Sequence, residues 1–248
     1  MWWTDWAVTP EVLMKMEHHQ KINHFPGMYT LSRKNLLAKN LMKMRKKCPE
    51  EYNYFPLTWT LPGDYQEFKA YYETKPKGKA RTYIVKPESL SQGKGIFLTR
   101  KIDDINPQTH CVVQRYLSKP YLIEGLKFDL RIYVLVAGVD PLRLFIFREG
   151  LARFATDLYV TPNKDNMEDI CMHLTNYAIN KESDKFIFNQ DANDMGIGHK
   201  RSLESVFGTL REKGADTESL KLKIQDVIVK TIITGLSSLR FQYRSCQS

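Results

Sequence analysis

The segment Lys127–Val136 constrains the fold of this chain more than any other. Its apolar side chains stand at every second position, as Phe128, Leu130, Ile132, Val134 and Val136. A period of two predicts a β-strand with one apolar face packed on a core. Lys127, Asp129 and Arg131 then share the opposite face, where burying unpaired charges would be costly. These charges are expected either to line a polar cleft or to form ion pairs on a solvated strand face.

Turn-forming residues after this strand predict an antiparallel meander of three strands. Gly138–Pro141 turns the chain into Leu142–Arg148, and Glu149-Gly150 turns it again into Leu151–Phe154. Arg153 would then point into the same space as the charged face of the first strand. Arginines placed side by side suit the negative charge that develops on a transferring phosphoryl group.

The other patterns indicate a mixed α+β chain. Two further segments read as strands and three as helices. The strands are Thr82–Lys86 and Cys111–Leu117, and the helices are Val12–His19, Leu36–Met44 and Leu220–Leu239.

A glycine-rich loop and a histidine cluster are weaker signals. The loop Ser91–Ile96 places two glycines around Lys94, which allows backbone N–H groups to approach a phosphate. It lacks the spacing of a Walker A loop, and a simple β-turn explains it as well. His173, in the segment His173–Tyr177, fits a hydrogen-bonded structural histidine better than a metal ligand.

Composition narrows the classes of protein. The 248 residues are 42% hydrophobic, which indicates a folded chain, and no run of about 18 apolar residues predicts a membrane span. The four cysteines are scattered without metal-ligand spacing, which favours reduced thiols in an intracellular compartment. The His-Glu-x-x-His, Gly-x-Ser-x-Gly and nucleic-acid-binding patterns are missing, so zinc hydrolysis, serine hydrolysis and nucleic-acid binding have no support.

The net charge of +9 is distributed unevenly along the chain. Arg33–Lys47 holds seven basic residues and no acidic one, and a second basic run comprises Lys75, Lys77, Lys79 and Arg81. Such runs attract a polyanion, whether nucleic acid, anionic lipid or acidic peptide, or form an ordinary solvated face.

Six blocks, taken together and in order, resemble one family. They are His24–Met28, Val85–Pro87 with Gln92–Ile96, Gln114–Leu117, Lys127–Arg131, Gly150–Thr156 and Met172–Lys181. They look like the successive blocks of tubulin tyrosine ligase-like enzymes, with the polyglutamylase branch nearest, and the resemblance runs from about Trp3 to Arg244.

The resemblance implies an incomplete ATP-grasp fold, in which two α+β lobes enclose an ATP cleft. Residues 1–80 would form a partial, mainly helical and basic N-terminal region. Residues 81–117 would belong to the central lobe, and residues 118–248 to a C-terminal lobe without its final metal-binding strands.

The resemblance also implies roles for individual residues. Lys86 would contact the phosphates of ATP under a loop containing Gln92 and Gly93, and Thr175 and Asn176 would lie beside them. Arg131 and Arg153 would steady the transferring phosphoryl group, and Tyr177 and Lys200 would contact the incoming amino acid. The hinge that holds adenine would be Gln114, Arg115, Tyr116 and Leu117, with Lys127 and Asp129 reaching the adenosine.

The implied reaction joins glutamate to tubulin. ATP would phosphorylate a glutamate carboxylate on tubulin's acidic tail, and the amine of free L-glutamate would attack the acyl phosphate. The basic Arg33–Lys47 stretch would bind that tail. The implied protein is a monomer of the cytoplasm and cytoskeleton, at a cilium or basal body, with neither nucleic acid nor membrane as partner. A tubulin glycylase and a non-catalytic microtubule-binding pseudo-ligase remain as alternatives.

One departure from the family pattern concerns magnesium. The family places an aspartate and a Glu-x-Asn pair after the helix that corresponds to Leu220–Leu239, and this sequence has no Glu-x-Asn. Magnesium beside ATP phosphates needs such carboxylate ligands. We therefore expect a chain truncated at both ends relative to the family, without its Mg²⁺ ligands and without turnover.

Overall fold

The computed structural model describes residues 2–6, 8–17, 19–74, 80–189 and 196–245. The chain divides into two compact units. The first contains Met1–Tyr54, Leu135–Phe145 and Leu222–Ser248, and the second contains Phe55–Val134 and Ile146–Lys221. Of the second basic run, only Arg81 lies within the described residues.

The first sheet of the second unit is antiparallel, with strand order β1-β4-β2-β3. Helix α4 (Tyr65–Glu73) follows β1 and buries Phe68 in a core with Trp59 and Tyr83. The predicted strands Thr82–Lys86 and Cys111–Leu117 are confirmed as β2 and β4. The bounds are Thr58–Leu61 for β1, Tyr83–Pro87 for β2, Phe97–Thr99 for β3 and Cys111–Arg115 for β4, with a 3₁₀ turn at Ile102–Asp104.

The second sheet has strand order β5-β6-β7-β8. Its strands are Leu122–Ile123 (β5), Leu126–Val139 (β6), Leu142–Leu158 (β7) and Lys200–Ser202 (β8). The predicted alternation in β6 is confirmed, because Arg131 and Tyr133 are exposed whereas Leu130 and Ile132 are more enclosed.

The predicted three-strand meander is wrong, because β7 continues through Glu149-Gly150 without turning. Gly150 is buried inside the strand. A β-carbon at this position would lie 2.7 Å from the carbonyl oxygen of Arg131. The glycine therefore permits a close approach between neighbouring backbones and does not mark a turn. A close backbone approach is a common reason for glycine inside a strand.

The second unit also contains three short helices and the start of a long one. Helices α5 (Ile170–His173) and α6 (Tyr177–Asn180) flank a loop, and α7 (Leu203–Glu212) follows β8. The side chain of Ser202 accepts a hydrogen bond from the Ser205 N–H and so caps α7. Helix α8 spans Thr217–Arg244 and confirms the predicted helix Leu220–Leu239.

The first unit contains several helices together with the end of β6 and the start of β7. Helices α2 (Tyr29–Ser32) and α3 (Lys34–Lys47) contact each other, and α3 confirms the predicted helix Leu36–Met44. Within this unit a β-carbon on Gly235 of α8 would lie 3.0 Å from a methyl carbon of Leu31, so the absent side chain permits close packing there.

The predicted helix Val12–His19 is shorter than expected and is displaced. Helix α1 spans Pro10–Met14, and the Lys15 N–H closes its last turn. The following chain is held instead by a hydrogen bond from the Gln20 N–H to the Glu17 carbonyl oxygen. His18 lies outside the described residues.

Cys48, Cys111 and Cys171 carry free thiols, as predicted, and Cys246 lies outside the described part of the chain. Among the helices that the structure describes, none has both the length and the apolarity needed to cross a membrane. The chain is thus a mixed α+β protein with two antiparallel sheets.

Candidate active site

Lys86 is aligned by a short chain of hydrogen bonds across the first sheet. Its ammonium group donates to Oε1 of Gln114 at 2.8 Å, and Nε2 of Gln114 donates to the Thr58 hydroxyl at 2.8 Å. The three side chains come from β2, β4 and β1, which are neighbours in the sheet. The sheet therefore fixes where this positive charge stands.

Lys127 is fixed by a second hydrogen-bond chain that contains His173. Nε2 of His173 lies 2.8 Å from the Asn166 carbonyl oxygen, which can only accept, so Nε2 carries the ring proton. Nδ1 must then accept from the Tyr116 hydroxyl at 3.1 Å. The Lys127 ammonium in turn donates to the Tyr116 oxygen at 2.9 Å and to the His173 carbonyl at 2.8 Å.

The environment of Lys127 weakens its positive charge. Burial, followed by repulsion from the nearby Lys86, lowers the pKa of Lys127 to about 8. Burial likewise lowers the pKa of His173, which agrees with the neutral ring required by its hydrogen bonds. Two ammonium groups close enough to repel each other form a place where a polyanionic ligand is favoured.

Asp129 is held by groups from two directions. Its carboxylate accepts from Nε of Arg153 at 3.0 Å and from Nη2 at 2.7 Å, and the Thr175 hydroxyl donates to the same group. Such a bidentate pair fixes both planar groups. No set of three or more His, Cys, Asp or Glu side chains that could hold a metal ion occurs among the described residues, so the residues present do not fit a magnesium site.

The glycine-rich loop lies against the segment that carries Thr175. Gly93 adopts φ +89°, and a β-carbon there would lie 2.3 Å from Cδ1 of Ile179 and 3.2 Å from Cγ of Asn176. The positive φ favours glycine here, and any larger residue would also have to displace the Ile179 side chain.

The buried Asn180 anchors the loop between α5 and α6. Its amide oxygen accepts from the backbone N–H and the hydroxyl of Thr156 in β7, at 2.9 and 3.1 Å. Its amide nitrogen donates to the carbonyls of Leu174 and Asn176, at 2.8 and 3.1 Å. The loop is thus tied at several points to the sheet.

A cavity of about 220 Å³ opens beside the Asp129–Arg153 pair. Its polar lining includes Arg131, Lys200 and Tyr177, which are exposed, together with Arg153 and Thr175. The side chains of Arg131 and Lys200 make no hydrogen bond or ion pair with any residue that the structure describes. Leu151, Phe154 and Phe186 provide an apolar wall, so the cavity suits a small ligand that has both an anionic and an apolar part.

Comparison with known proteins now identifies the lineage. Residues 12–247 match the Tubulin-tyrosine ligase family. The chain belongs to this family.

Three similar proteins illustrate how the chain relates to other members. A "Probable beta-tubulin polyglutamylase" of Tetrahymena thermophila is 57% identical over 247 residues, which are 100% of this chain and 21% of that protein. "Tubulin polyglutamylase TTLL13" of Mus musculus is 51% identical, over 99% of this chain and 30% of its own length. "Tubulin polyglutamylase TTLL7" of Xenopus tropicalis is 42% identical, over 99% and 27%. The chain thus spans less than a third of each of these three relatives.

Most of the site residues expected from the family resemblance converge. Hydrogen bonds, close contacts or the shared cavity connect Lys86, Gly93, Gln114, Tyr116, Lys127, Asp129, Arg131, Arg153, Thr175, Asn176, Tyr177 and Lys200 within the second unit. Gln92, with φ 59°, belongs to the same loop as Gly93.

Two of the expected hinge residues direct their side chains elsewhere. The guanidinium of Arg115 lies 5.6 Å from the centre of the Tyr83 ring, on the opposite face of the first sheet from Gln114. The Leu117 side chain is 62% exposed. Through their side chains these two residues make no described contact with the lysine pair, so their assignment to the adenine hinge stays a prediction that rests on the backbone.

Three residues of the candidate site were not predicted from sequence patterns. Thr58 aligns Gln114, Asn180 ties down the loop, and His199 lines the cavity. Each is bonded to a residue of another segment, Thr58 to Gln114, Asn180 to Thr156 and His199 to Ile187, and no local pattern reports such contacts. His173, by contrast, is the hydrogen-bonded structural histidine that the sequence indicated.

Proposed function

We propose that this chain is part of an ATP-dependent ligase with an ATP-grasp fold, which adds glutamate to glutamate side chains of tubulin tails. One observation carries the proposal: two ordered lysines, Lys86 and Lys127, are connected through the Asp129–Arg153 pair to a cavity. That cavity is lined by Arg131 and Lys200, whose side chains have no polar partner among the described residues. The first feature suits the phosphates of ATP, and the second suits the carboxylates of an amino acid. Polyglutamylase names among the relatives supply the choice of glutamate and tubulin.

The residues present fit ATP. Bound ATP would supply the phosphoryl group that turns a carboxylate into an electrophile. Lys86 and Lys127 would bind its phosphates and adenosine, because each is already held in place and an anion relieves their mutual repulsion. The Gln92-Gly93 loop would cover the phosphates, together with Thr175 and Asn176 beside it. Gln114–Leu117 would hold adenine along its backbone.

The cationic cavity would hold the amino acid and stabilise developing charge. Arg153 is oriented by Asp129, whereas the exposed Arg131 side chain has no polar partner among the described residues, so the two arginines differ in how much they must reorganise. Fixed donors directed at developing negative charge lower the barrier without reorganising at the moment of reaction. Tyr177 and Lys200 would contact the incoming L-glutamate. The described residues do not form a Mg²⁺ site.

Helix α3 offers a surface for the acidic tubulin tail. Lys39, Lys43 and Lys46 stand at i, i+4 and i+7 on its exposed face, while Ala38 and Leu41 are buried. A row of like charges attracts an acidic peptide through a long-range field. The same observation favours a second candidate function, a non-catalytic microtubule-binding module of the cytoskeleton, and leaves a glycylase open.

Two assays on the purified chain separate these functions. Calorimetric titration with ATP should show binding that Lys127→Met weakens and that the exposed control Lys164→Met does not. Labelled glutamate and microtubules are then supplied with ATP. Incorporation of labelled glutamate into microtubules that disappears in Arg153→Ala supports the ligase. It also contradicts our expectation of no turnover. Co-sedimentation with microtubules without incorporation supports the binding module. A chain that binds neither ATP nor microtubules contradicts both functions.

Charge reversal tests the basic face directly. Lys39→Glu with Lys43→Glu should weaken co-sedimentation with microtubules, and removal of the acidic tails by limited proteolysis should have the same effect on the unaltered chain. The salt dependence of binding should become shallower in the variant, because fewer charges are screened. Unchanged binding in the variant would rule out α3 as the tubulin surface.

A further inference from the structure

His199 stands at the inner wall of the cavity and is fixed by both neighbouring segments. It immediately precedes Lys200, the first residue of β8. Its N–H donates to the Ile187 carbonyl at 3.2 Å, and its own carbonyl accepts from the Phe154 N–H at 2.9 Å. Its ring is held as well, because Nδ1 lies 2.9 Å from the Ile187 nitrogen. The position of the imidazole is therefore set before any ligand arrives.

The ring has one defined proton. A backbone N–H can only donate, so Nδ1 accepts from Ile187 and carries no proton. Burial and the nearby Arg201 lower the pKa of His199, which keeps the ring neutral with its proton on Nε2.

The Nε2–H donor is unused. Among the residues that the structure describes, none accepts a hydrogen bond from it, although the side chain is only 8% exposed and lines the cavity. Because the residue lines the cavity, this donor is available to a ligand there. An acceptor atom of a ligand in the cavity would satisfy it.

The surroundings select the kind of acceptor. The Phe186 ring stacks on the imidazole, with ring centres 5.5 Å apart, and Tyr177 packs against Phe186. This aromatic row leaves little freedom for the imidazole to rotate. Arg131 and Lys200 line the same cavity and are both cationic, which favours carboxylate oxygen over a neutral acceptor.

We propose that His199 is a specificity-determining residue, whose Nε2–H donates to a carboxylate oxygen of the amino-acid substrate and favours a dicarboxylic amino acid over glycine. Glycine has no side-chain carboxylate, so once its single carboxylate is bound to Arg131 and Lys200 it offers no second carboxylate to His199. A site with a donor that stays unpaired when the smaller ligand binds discriminates against that ligand. This inference rests on the proposed function, because it concerns the amino acid of the same reaction.

Two substitutions separate the role of Nε2 from the structural role of Nδ1. His199→Asn places an amide oxygen near the position of Nδ1, where it can still accept from Ile187, and removes the group at Nε2. His199→Gln places an amide N–H near the position of Nε2. We would measure the dissociation constants of L-glutamate, glycine and ATP for the full chain and both variants by calorimetry.

We expect His199→Asn to lower the affinity for L-glutamate and not that for glycine or ATP. His199→Asn should weaken L-glutamate binding about tenfold or more, as for a hydrogen bond to a charged group. Glycine and ATP binding should stay within about twofold, and His199→Gln should recover part of the loss. The ratio of the dissociation constants of L-glutamate and glycine is the decisive quantity. A partly unfolded preparation would alter both constants by the same factor and leave this ratio unchanged.

The remaining outcomes also have distinct meanings. An unchanged glutamate-to-glycine ratio in His199→Asn overturns the inference, as does a wild-type chain that binds both amino acids equally. Binding of ATP without either amino acid overturns it too, while leaving the nucleotide part of the proposed function standing. A chain that binds no ATP and no amino acid contradicts the proposed function itself.

Discussion

The lysine pair and the cavity wall differ in how their charges are held. Lys86 and Lys127 are bound to side chains that are themselves bound, through Gln114 to Thr58 and through Tyr116 to His173. The side chains of Arg131 and Lys200 are exposed and make no polar contact with the described residues. The first region is ordered by the fold, and the second is left to be ordered by a ligand. Substitutions should therefore affect stability in one region and binding alone in the other.

The largest effect is expected at Asn180, beside the ordered region. Asn180→Leu would leave the Thr156 N–H and the Leu174 carbonyl without these partners, and each buried unpaired group costs about 1–3 kcal/mol. We expect the free energy of unfolding in urea to fall by about 3 kcal/mol or more. The exposed Asn106 is the control, where Asn106→Leu should cost less than about 1 kcal/mol. If Asn180→Leu and Asn106→Leu lowered the free energy of unfolding equally, Asn180 would not be an anchor of this loop.

Lys127→Met should reduce ATP affinity about ten- to a hundredfold, because it removes a charged hydrogen-bond donor that is already in place. It should change the free energy of unfolding less than Asn180→Leu does, since methionine fills similar space and the buried charge is removed. Calorimetry and urea unfolding of the same samples measure the two quantities. An ATP constant within twofold of wild type would exclude Lys127 from the nucleotide site.

The pH dependence should separate stability from binding. The folded-state pKa of Lys127 is about 8, below the ordinary value of 10.5, so between these values the unfolded state holds more protons. The contribution of Lys127 to stability therefore rises with pH from about 8 to about 10.5. ATP affinity should fall over the same range, because the charged ammonium is lost. For both quantities, the free energy of unfolding and the ATP affinity, the pH dependence of Lys127→Met is subtracted from that of the wild type. If both differences changed in the same direction with pH, Lys127 would not be a charged ligand of ATP.

The smallest effect on stability is expected at the cavity wall. Arg131→Ala should change the free energy of unfolding by less than about 0.5 kcal/mol, because the side chain is exposed and has no polar partner among the described residues. Its effect on L-glutamate binding should nevertheless exceed that of Arg148→Ala, an exposed arginine outside the cavity lining. A large loss of stability in Arg131→Ala would show that the wall is ordered by the fold after all.

The sequence predicted the parts of this architecture that depend on local pattern. The alternation in β6 and the apolar stripe of α8 are periodic signals, and both are confirmed. Gly150 shows the limit, because a glycine at a turn and a glycine at a close backbone approach are identical in sequence. The resemblance to a family indicated which residues would meet. It gave no account of Asn180 or His199, whose importance lies in contacts with Thr156 and Ile187.

Gly150 also has a consequence for how this protein can vary. Alanine adds only one carbon, but that carbon would lie 2.7 Å from the Arg131 carbonyl oxygen and 3.1 Å from Cδ2 of Leu203, so the backbone itself would have to move. The affected stretch of β6 is the one that presents Arg131 to the cavity. A missense change at codon 150 is therefore expected to misplace an arginine of the site even where the rest of the chain still folds.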